Sequence, residues 1–358
     1  MSSRDPRNVV LVTIDSLRPD ALSPYRPDAH TPTIERLAEG GTVFETAFAH
    51  GNWTPMSFPS ILASRPVFAD TGRIGVDSVT TLAERLQAAG VATGGFNAAN
   101  GFLTEHWGYD AGFDEFDAFV GGGGDGRAGE FVAAHPTWGA WLQLLTSPFR
   151  RAGNFLRGGS DEQPFTDASR MLDTERAATS FIAETDEPFF LWVHYMDPHH
   201  PFLPPEKYQR MFHDEIIGRR ESVKMRQKLL QRPEEVTEEE LQMQLNLYDA
   251  ETRFWDDQLR RLVETTREKL GDVTVAVTSD HGEHFLEHGY FSGAQLYDIK
   301  QHVPLLIEGE QWDDDGDYDD LVCLIDLPTT LVDHAGLDVP DNYYGHSLIP
   351  LVEGGDWP

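Results

Sequence analysis

Short runs of apolar residues alternate with amphipathic helical patterns along most of the chain. The apolar runs that predict β-strands are 8–14, 91–96, 188–194, 273–278 and 303–308. Strands that are apolar on both faces are typical of a parallel sheet covered by helices on each side. Helical patterns at 31–40, 78–89 and 167–184 lie between them. The alternation predicts one α/β domain over residues 1–358, with a doubly wound, mostly parallel sheet.

Three segments depart from this alternation. Residues 206–232 carry eight of the basic side chains and predict an exposed helical insertion. Its charge is typical of a solvated helix face, with a surface for an anionic substrate or partner as the alternative. Residues 121–126 (GGGGDG) predict a flexible loop. Residues 313–320 (DDDGDYDD) predict a solvated turn, because the spacing around Gly316 does not fit a calcium-binding EF-hand loop.

Acidic residues dominate the charged positions. The chain has 358 residues, of which 60 are acidic and 28 basic, so the formal net charge is −32; 40% of the residues are hydrophobic. The hydrophobic content supplies a full core, whereas the charge excludes nucleic acid and anionic membranes as the main partners. Such an acid excess is typical of proteins from a high-salt cytoplasm, where screening shortens self-repulsion to about 3 Å at 1 M salt.

The cysteine content and the apolar runs bear on the compartment. Cys323, the only cysteine, lies in the run LVCLIDL and is expected to be a buried strand thiol. No stretch approaches the ~18 apolar residues of a membrane span, and the run near the N-terminus is too short for a signal peptide. We therefore expect a cytoplasmic protein without a membrane span, while its oligomeric state is left open.

Carboxylates and an imidazole follow two of the predicted strands. Asp15 ends the first strand, and Asp280 with His281 ends another. If the strands are neighbours, two carboxylates ~4 Å apart would repel each other by about 4 kcal/mol, and a divalent cation would turn that repulsion into binding. Each aspartate could instead cap a following helix. The three residues together favour a metal site.

Hydroxyl and imidazole groups supply further candidates for chemistry. The segment 51–66 contains Thr54, Ser57 and Ser60 in a proline-broken turn before a predicted helical stretch, 58–64. A hydroxyl at a helix N-terminus beside a cation is a plausible nucleophile, although serine and threonine are also ordinary helix caps. Two histidine clusters, HYMDPHH and DHGEHFLEHG, follow strands and favour metal or oxyanion roles for some of their members.

Taken together, the segments resemble the sulfatase and alkaline phosphatase superfamily. The motifs follow the family order: VVLVTIDSLRPD, TPTIERLAEGGTVFETAFA, NWTPMSFPSILAS, FFLWVHYMDPHHPF, VAVTSDHGE, LYDIKQHVPLLI and LIDLPTTLVDHAGLDVPDNYYGHSLIPLVEG. The resemblance implies that Asp15, Asp280 and His281 are metal ligands and that the oxygen of the nucleophile completes the shell. Ligands of these types admit Mn, Zn, Ca or Mg, with His281 favouring Mn or Zn.

The resemblance also implies a choice of nucleophile. Counting back from Ala63 places Thr54 at the nucleophile position, as in the threonine-using branch, whereas a register shifted by three places Ser57 there; Thr54 is favoured. Sulfatases convert a cysteine or serine to formylglycine, which a threonine cannot become. The motif therefore favours a phosphate or phosphonate ester over a sulfate ester, with His199 or His194 protonating the leaving oxygen or binding a nonbridging one.

Some expected features are altered. Relatives usually carry a further His or Lys near the position of Gly293, and His288, Lys300 and His302 are candidate substitutes for it. Substrate binding is assigned to His288, Lys300 and Ser57. The C-terminal part, around 321–358, resembles a reduced form of the family's subdomain. The predicted function is hydrolysis of a small anionic ester or glycan-linked substrate. A transferase acting on a saccharide or lipid-linked acceptor, or a catalytically dead binding scaffold, is the alternative.

Overall fold

The computed structural model describes residues 7–69, 72–77, 79–120, 171–186, 188–312, 316–355 and 357. At its centre lies an eight-stranded sheet with the order β5-β4-β6-β1-β7-β8-β2-β9. Its strands are β1 (Val9–Ile14), β2 (Gly41–Phe44), β4 (Ala92–Asn97), β5 (Glu115–Asp117), β6 (Phe189–Tyr195), β7 (Thr274–Ser279), β8 (Leu305–Glu308) and β9 (Asp317–Tyr318). A separate two-stranded sheet pairs β3 (Ala47–Phe48) with β10 (Val322–Cys323).

The large sheet is mostly parallel. Five of its seven pairings are parallel, and the two antiparallel ones both involve β8. All six residues of β1 are buried, and they alternate between two cores. Val10 and Val12 lie in one core, and Val9 and Leu11 lie in the other. Both faces are therefore covered, which confirms the predicted α/β fold.

Helices supply both layers. They are α1 (Pro32–Glu39), α2 (Thr54–Ala63), α3 (Leu82–Gln87), α4 (Met171–Glu184), α5 (Glu206–Phe212), α6 (Arg219–Gln231), α7 (Glu238–Leu270), α8 (Asp298–Gln301), α9 (Asp326–His334) and α10 (Ile349–Val352). Trp255 of α7 packs in the core that contains Val10, whereas Ile61 of α2 and Leu327 of α9 pack in the core that contains Val9.

The predicted strands are confirmed to within one or two residues, and the helices differ more. Helix α2 begins at Thr54 instead of residue 58, because Pro55 in its first turn has no N–H to leave unbonded. Helix α3 begins at Leu82, where Thr81 and Glu84 form a capping box. The 33-residue helix α7 was not predicted, although its buried positions Tyr248, Trp255, Leu259 and Leu262 have helical spacing.

Four expectations about single segments need correction or fall outside the described residues. Within 313–320, Asp317–Tyr318 forms an edge strand beside β2, where a turn was expected. Cys323 is half-buried instead of buried, and the burial it has raises the pKa of its thiol. The loop 121–126 and the start of the pattern at 167–184 lie outside the described residues. The segment 206–232 is helical, as α5 and α6.

No helix in the described ranges has both the length and the apolar character needed to cross a membrane.

Candidate active site

The sheet brings the two predicted carboxylates together. Strands β1 and β7 are parallel neighbours, with Ile14 opposite Ser279, so Asp15 and Asp280 follow at the same edge of the sheet. The backbone N–H of Asp280 donates to the carbonyl of Ile14 at 3.2 Å, which continues the pairing one residue beyond the strands. Both aspartates are almost completely buried. A carboxylate held there needs a partner.

Asp15, Asp280 and His281 offer three ligand atoms that all lie within 4.8 Å of one another. His281 Nε2 is 3.7 Å from Asp15 Oδ1 and 3.7 Å from Asp280 Oδ2. Asp280 Oδ2 and His281 Nε2 are buried and have no hydrogen-bond partner. Unpaired polar atoms are costly at such a position, and oxygen and imidazole nitrogen donors suit a divalent cation. These residues therefore fit a metal ion.

The ionisation of the group follows from its burial and its charges. Burial and the neighbouring charge of Asp15 raise the pKa of Asp280 well above its ordinary value. Burial opposes ionisation of Asp15 too, but its interactions with the imidazoles of His199, His281 and His194 outweigh burial and lower the pKa of Asp15. Burial and the charge of Lys300 lower the pKa of His281 to about 3, so its imidazole is neutral. A neutral imidazole is the form that binds metals.

The backbone orients the His281 ring. Its Nδ1 lies 2.8 Å from the carbonyl of Gly282, which can only accept, so Nδ1 carries the proton and Nε2 is left as the acceptor. Lys300 Nζ lies 3.2 Å from the same Nδ1 and 3.3 Å from Glu283 Oε1. Lys300 and Glu283 are both buried. The predicted residue Lys300 thus lies directly behind a ligand candidate.

Thr54 reaches the same group from helix α2. Its Oγ1 donates to Asp15 Oδ2 at 3.3 Å, and the side chain is buried. In the first turn of the helix, Pro55 has no N–H, and the N–H groups of Met56 and Ser57 donate to the carbonyl of Trp53 at 2.9 and 3.2 Å. An anion placed beside Thr54 would therefore meet the positive end of the helix dipole. Ser57 is fully buried and donates to the backbone carbonyl of Asp280 at 2.5 Å. Ser60 donates to the carbonyl of Arg65 at 3.1 Å.

Asn100 is a site residue that the sequence did not reveal. Its Nδ2 donates to Asp15 Oδ2 at 2.9 Å. Asn97, the last residue of β4, holds the turn that presents it, accepting from the Asn100 N–H at 3.0 Å and donating to the Asn100 carbonyl at 2.8 Å. The available indication was a pair of asparagines at the end of a predicted strand, a place where an α/β sheet gathers its site.

The histidines of β6 and the following loop take different positions. His194 lies within the strand, fully buried, with Nδ1 3.0 Å from Thr13 Oγ1 and Nε2 4.0 Å from Asp15 Oδ2. Burial lowers its pKa to about 4, so it is neutral. His199 is half-buried, and its Nδ1 contacts the carbonyl of His200 at 2.7 Å. Among the imidazoles it contributes most to the lowered pKa of Asp15.

The other two candidate substitutes lie elsewhere. His288 is exposed and stacks on Tyr297, with ring centroids 3.9 Å apart. His302 packs on Phe48 and bonds through Nε2 to the carbonyl of Glu45 at 2.7 Å. Of the three candidates, Lys300 is the one that the fold brings against His281.

Comparisons with known proteins find relatives of this chain. The family model described as "Sulfatase" matches residues 7–337. The uncharacterized sulfatase YidJ of Escherichia coli (strain K12) is 30% identical over 211 residues, which cover 55% of this chain and 42% of YidJ. Arylsulfatase K of Xenopus laevis is 40% identical over 83 residues, 23% of this chain and 16% of that protein. The matched segments span less than half the length of these relatives.

Solved structures share the fold over nearly the whole chain. The phosphonate monoester hydrolase of Agrobacterium radiobacter has a TM-score of 0.72 at 20% identity, covering 98% of this chain and 78% of that one. BT4656, in complex with its substrate D-glucosamine-2-N,6-O-disulfate, has a TM-score of 0.70 at 18% identity, with 99% and 82% covered.

Proposed function

Since the chain belongs to the sulfatase family, we propose that it is a metal-dependent hydrolase of phosphate, phosphonate or sulfate esters with the Thr54 hydroxyl as its nucleophile. The observation that carries the proposal is the convergence of Thr54 with Asp15, Asp280 and His281 at one edge of the sheet. The three ligand candidates would hold the cation, with Mn or Zn favoured because one donor is an imidazole. A cation bound there would neutralise charge that develops on the oxygens of the substrate.

Thr54 is the better candidate of the two hydroxyls. Its Oγ1 lies against Asp15, a carboxylate that can orient the hydroxyl and accept its proton. Ser57 is turned to a backbone carbonyl and has no exposed surface. The positive end of the α2 dipole stabilises the nonbridging oxygens of the ester during in-line attack by Thr54 Oγ1, and water then hydrolyses the phospho-threonine.

The leaving oxygen needs a proton donor. We assign this role to the imidazolium form of His199, in which Nδ1–H donates to the carbonyl of His200 and Nε2–H gives its proton to the leaving oxygen, leaving a neutral imidazole. His194 is too deeply buried to reach a leaving group, and we assign it to the support of Asp15 from within the sheet. Lys300 bonds to Glu283 and packs behind the His281 ring.

Phosphate and phosphonate esters are the favoured substrates. A threonine cannot be converted to formylglycine, so the route by which sulfatases release sulfate is closed to Thr54. The solved phosphonate monoester hydrolase and the complex with a disulfated glucosamine support a tetrahedral anionic ester, small or carried on a sugar.

The test uses chelator-treated protein with Mn or Zn added back. An aryl phosphate, a bis-aryl phosphate, a phosphonate monoester and an aryl sulfate are offered in turn. We expect turnover of the phosphorus esters with metal only, and Thr54→Ala should lower it by about 10³-fold or more at an unchanged unfolding midpoint. Rapid quenching followed by peptide mapping should find the phosphoryl group on Thr54.

Four outcomes would contradict the proposal. Turnover of Thr54→Ala at the wild-type rate would reject this nucleophile, and a phosphoryl group on Ser57 would assign the other one. Product that appears only when a saccharide or lipid acceptor is added would identify a transferase. Absence of tight divalent binding by calorimetry would leave a binding scaffold.

A further inference from the structure

Helix α6 touches the loop that carries the catalytic candidate His199. Ser222 Oγ donates to the carbonyl of Phe202 at 2.8 Å. Arg226 Nε donates to His200 Nδ1 at 2.9 Å, and His200 Nε2 lies 2.9 Å from Ser292 Oγ. The helix predicted to be an exposed insertion is therefore tied to two loops of the site.

The guanidinium of Arg226 is half-buried without an ionic partner. Its one hydrogen bond goes to neutral His200, and no carboxylate of the described residues lies within 4.0 Å of it. By contrast, two arginines of α7 are paired: Arg253 with Asp257 at 2.7 Å and Arg260 with Glu264 at 2.6 Å. A charge withdrawn from water in this way is costly until an anion meets it.

The acid whose charge Arg226 feels forms no ion pair with it. Glu283 raises the pKa of Arg226 against the effect of burial, but its Oε1 is bonded to Lys300, and its buried Oε2 has no hydrogen-bond partner. The helix itself adds positive charge, with five basic residues and one acidic residue in its 13 positions. In a chain of net charge −32, such a local surplus favours an anionic ligand over a solvated helix face.

The position of Arg226 identifies which part of a ligand it would meet. The rings of His200 and His199 are 4.3 Å apart and Arg226 is bonded to His200, so one side chain separates Arg226 from His199. In the proposed function, His199 faces the leaving oxygen. A group attached to the leaving part of the substrate would therefore come close to Arg226.

We propose that Arg226 binds a second anionic group, carried by the leaving part of the substrate, so that the site selects esters with two anionic groups. The inference rests on the proposed function for the direction in which the substrate lies. The ligand class is a small organic ester that carries a further carboxylate, phosphate or sulfate, and a guanidinium is suited to each of them.

The test compares inert anions that differ by one charge. Phenylphosphonate, 3-carboxyphenylphosphonate and 4-carboxyphenylphosphonate are titrated into metal-loaded protein by calorimetry. We expect one or both carboxylated compounds to bind the wild type about tenfold to a hundredfold more tightly, the range for a hydrogen bond to a charged group. Arg226→Gln should remove this preference and leave the affinity for phenylphosphonate unchanged. Arg226→Lys should keep part of the preference, and the matched control Arg260→Gln should keep all of it.

Each outcome decides the inference. Equal binding of the three compounds by the wild type overturns it, as does weakening of all three by the same factor in Arg226→Gln, which would indicate a structural role through His200. Absence of binding by all three overturns it too. The corresponding aryl phosphates test the proposed function separately: a preference in binding that persists without turnover supports the subsite and rejects the hydrolase.

Discussion

At the scale of residues, the site is built on a conflict between two carboxylates. Asp280 accepts from Ser16 N at 3.2 Å and from His281 N at 2.9 Å through Oδ1, while its buried Oδ2 has no partner. Without a cation, both burial and the charge of Asp15 destabilise the ionised form of Asp280. The position of this carboxylate therefore suits a ligand but lowers the stability of the folded protein.

Asp280→Asn should expose this cost. The amide keeps an oxygen for the two N–H donors and removes the charge, so in chelator the variant should be more stable than the wild type by on the order of 1–3 kcal/mol. Scanning calorimetry in chelator gives this difference, and titration with Mn or Zn should show loss of tight binding. Because the folded pKa of Asp280 is raised, the difference should shrink as the pH falls and the wild type takes up its proton. A variant that melts below the wild type in chelator would contradict the argument.

The sequence reveals a site residue when its position on an element determines its place. Asp15, Asp280 and His281 follow strands directly, so their convergence was predictable from strand order in an α/β sheet. Asn100 depends on a turn held by Asn97, and Lys300 reaches His281 from a four-residue helix. Neither placement follows from periodicity, because loop conformation decides it.

At the scale of elements, helix α1 is capped by a side chain from another helix. The carboxylate of Asp256, in α7, accepts from the N–H groups of Thr33 and Ile34 at 3.0–3.1 Å. Thr31 precedes the helix but makes no capping hydrogen bond of its own. This contact fixes α1 to the longest described helix. Burial is the main cause that raises the pKa of Asp256 to about 6.

The raised pKa predicts a pH dependence for Asp256→Asn. The ordinary pKa is 3.8, so between about pH 6 and 4 the folded state binds a proton that the unfolded state does not. The free energy of unfolding of the wild type relative to the variant should therefore rise as the pH falls from 7 to 4, by up to about 3 kcal/mol. Urea unfolding of both proteins across this range measures it. A difference that is constant or falls with acidification would refute the assignment.

Gly282 lies where two loops of the site meet. A Cβ there would lie 2.1 Å from the carbonyl oxygen of Ile299, and the Gly282 N–H donates to the carbonyl of Lys300 at 2.9 Å. Gly282→Ala should therefore separate α8 from His281. We expect it to lower the free energy of unfolding by roughly 2 kcal/mol or more and to weaken binding of the cation. Melting and metal titration check this, with Gly218→Ala as the control, since a Cβ at Gly218 meets nothing within 4 Å. Metal affinity that survives in Gly282→Ala would show that the loops adjust.

Elements were predictable where one pattern dominates. The strands 8–14 and 273–278 have no competing interpretation, because their apolar runs are short and β-branched. Strand β8 was found as a strand, but its antiparallel direction is decided by the chain path between α8 and β9 and leaves no trace in its composition. Helix α7 was missed because many charged residues on its outer face obscure the buried stripe.

At the scale of the whole molecule, the charge of −32 sets the response to salt. Repulsion among surface carboxylates destabilises the compact state, and the screening length falls from about 10 Å at 0.1 M to about 3 Å at 1 M. The charge is spread over the chain, so no single ion pair governs this effect.

We therefore expect the unfolding midpoint at pH 7 to rise with KCl and to level off near 1 M, since screening saturates whereas general salt effects grow in proportion to concentration. The control is the same titration at the isoelectric point of about 4.6, where the net charge and the early rise should both vanish. The affinity for carboxylated ligands should instead fall with KCl, because the same screening weakens attraction between Arg226 and an added carboxylate. A midpoint that is flat in KCl at pH 7, or an equal rise at both pH values, would show that self-repulsion does not limit the stability of this fold.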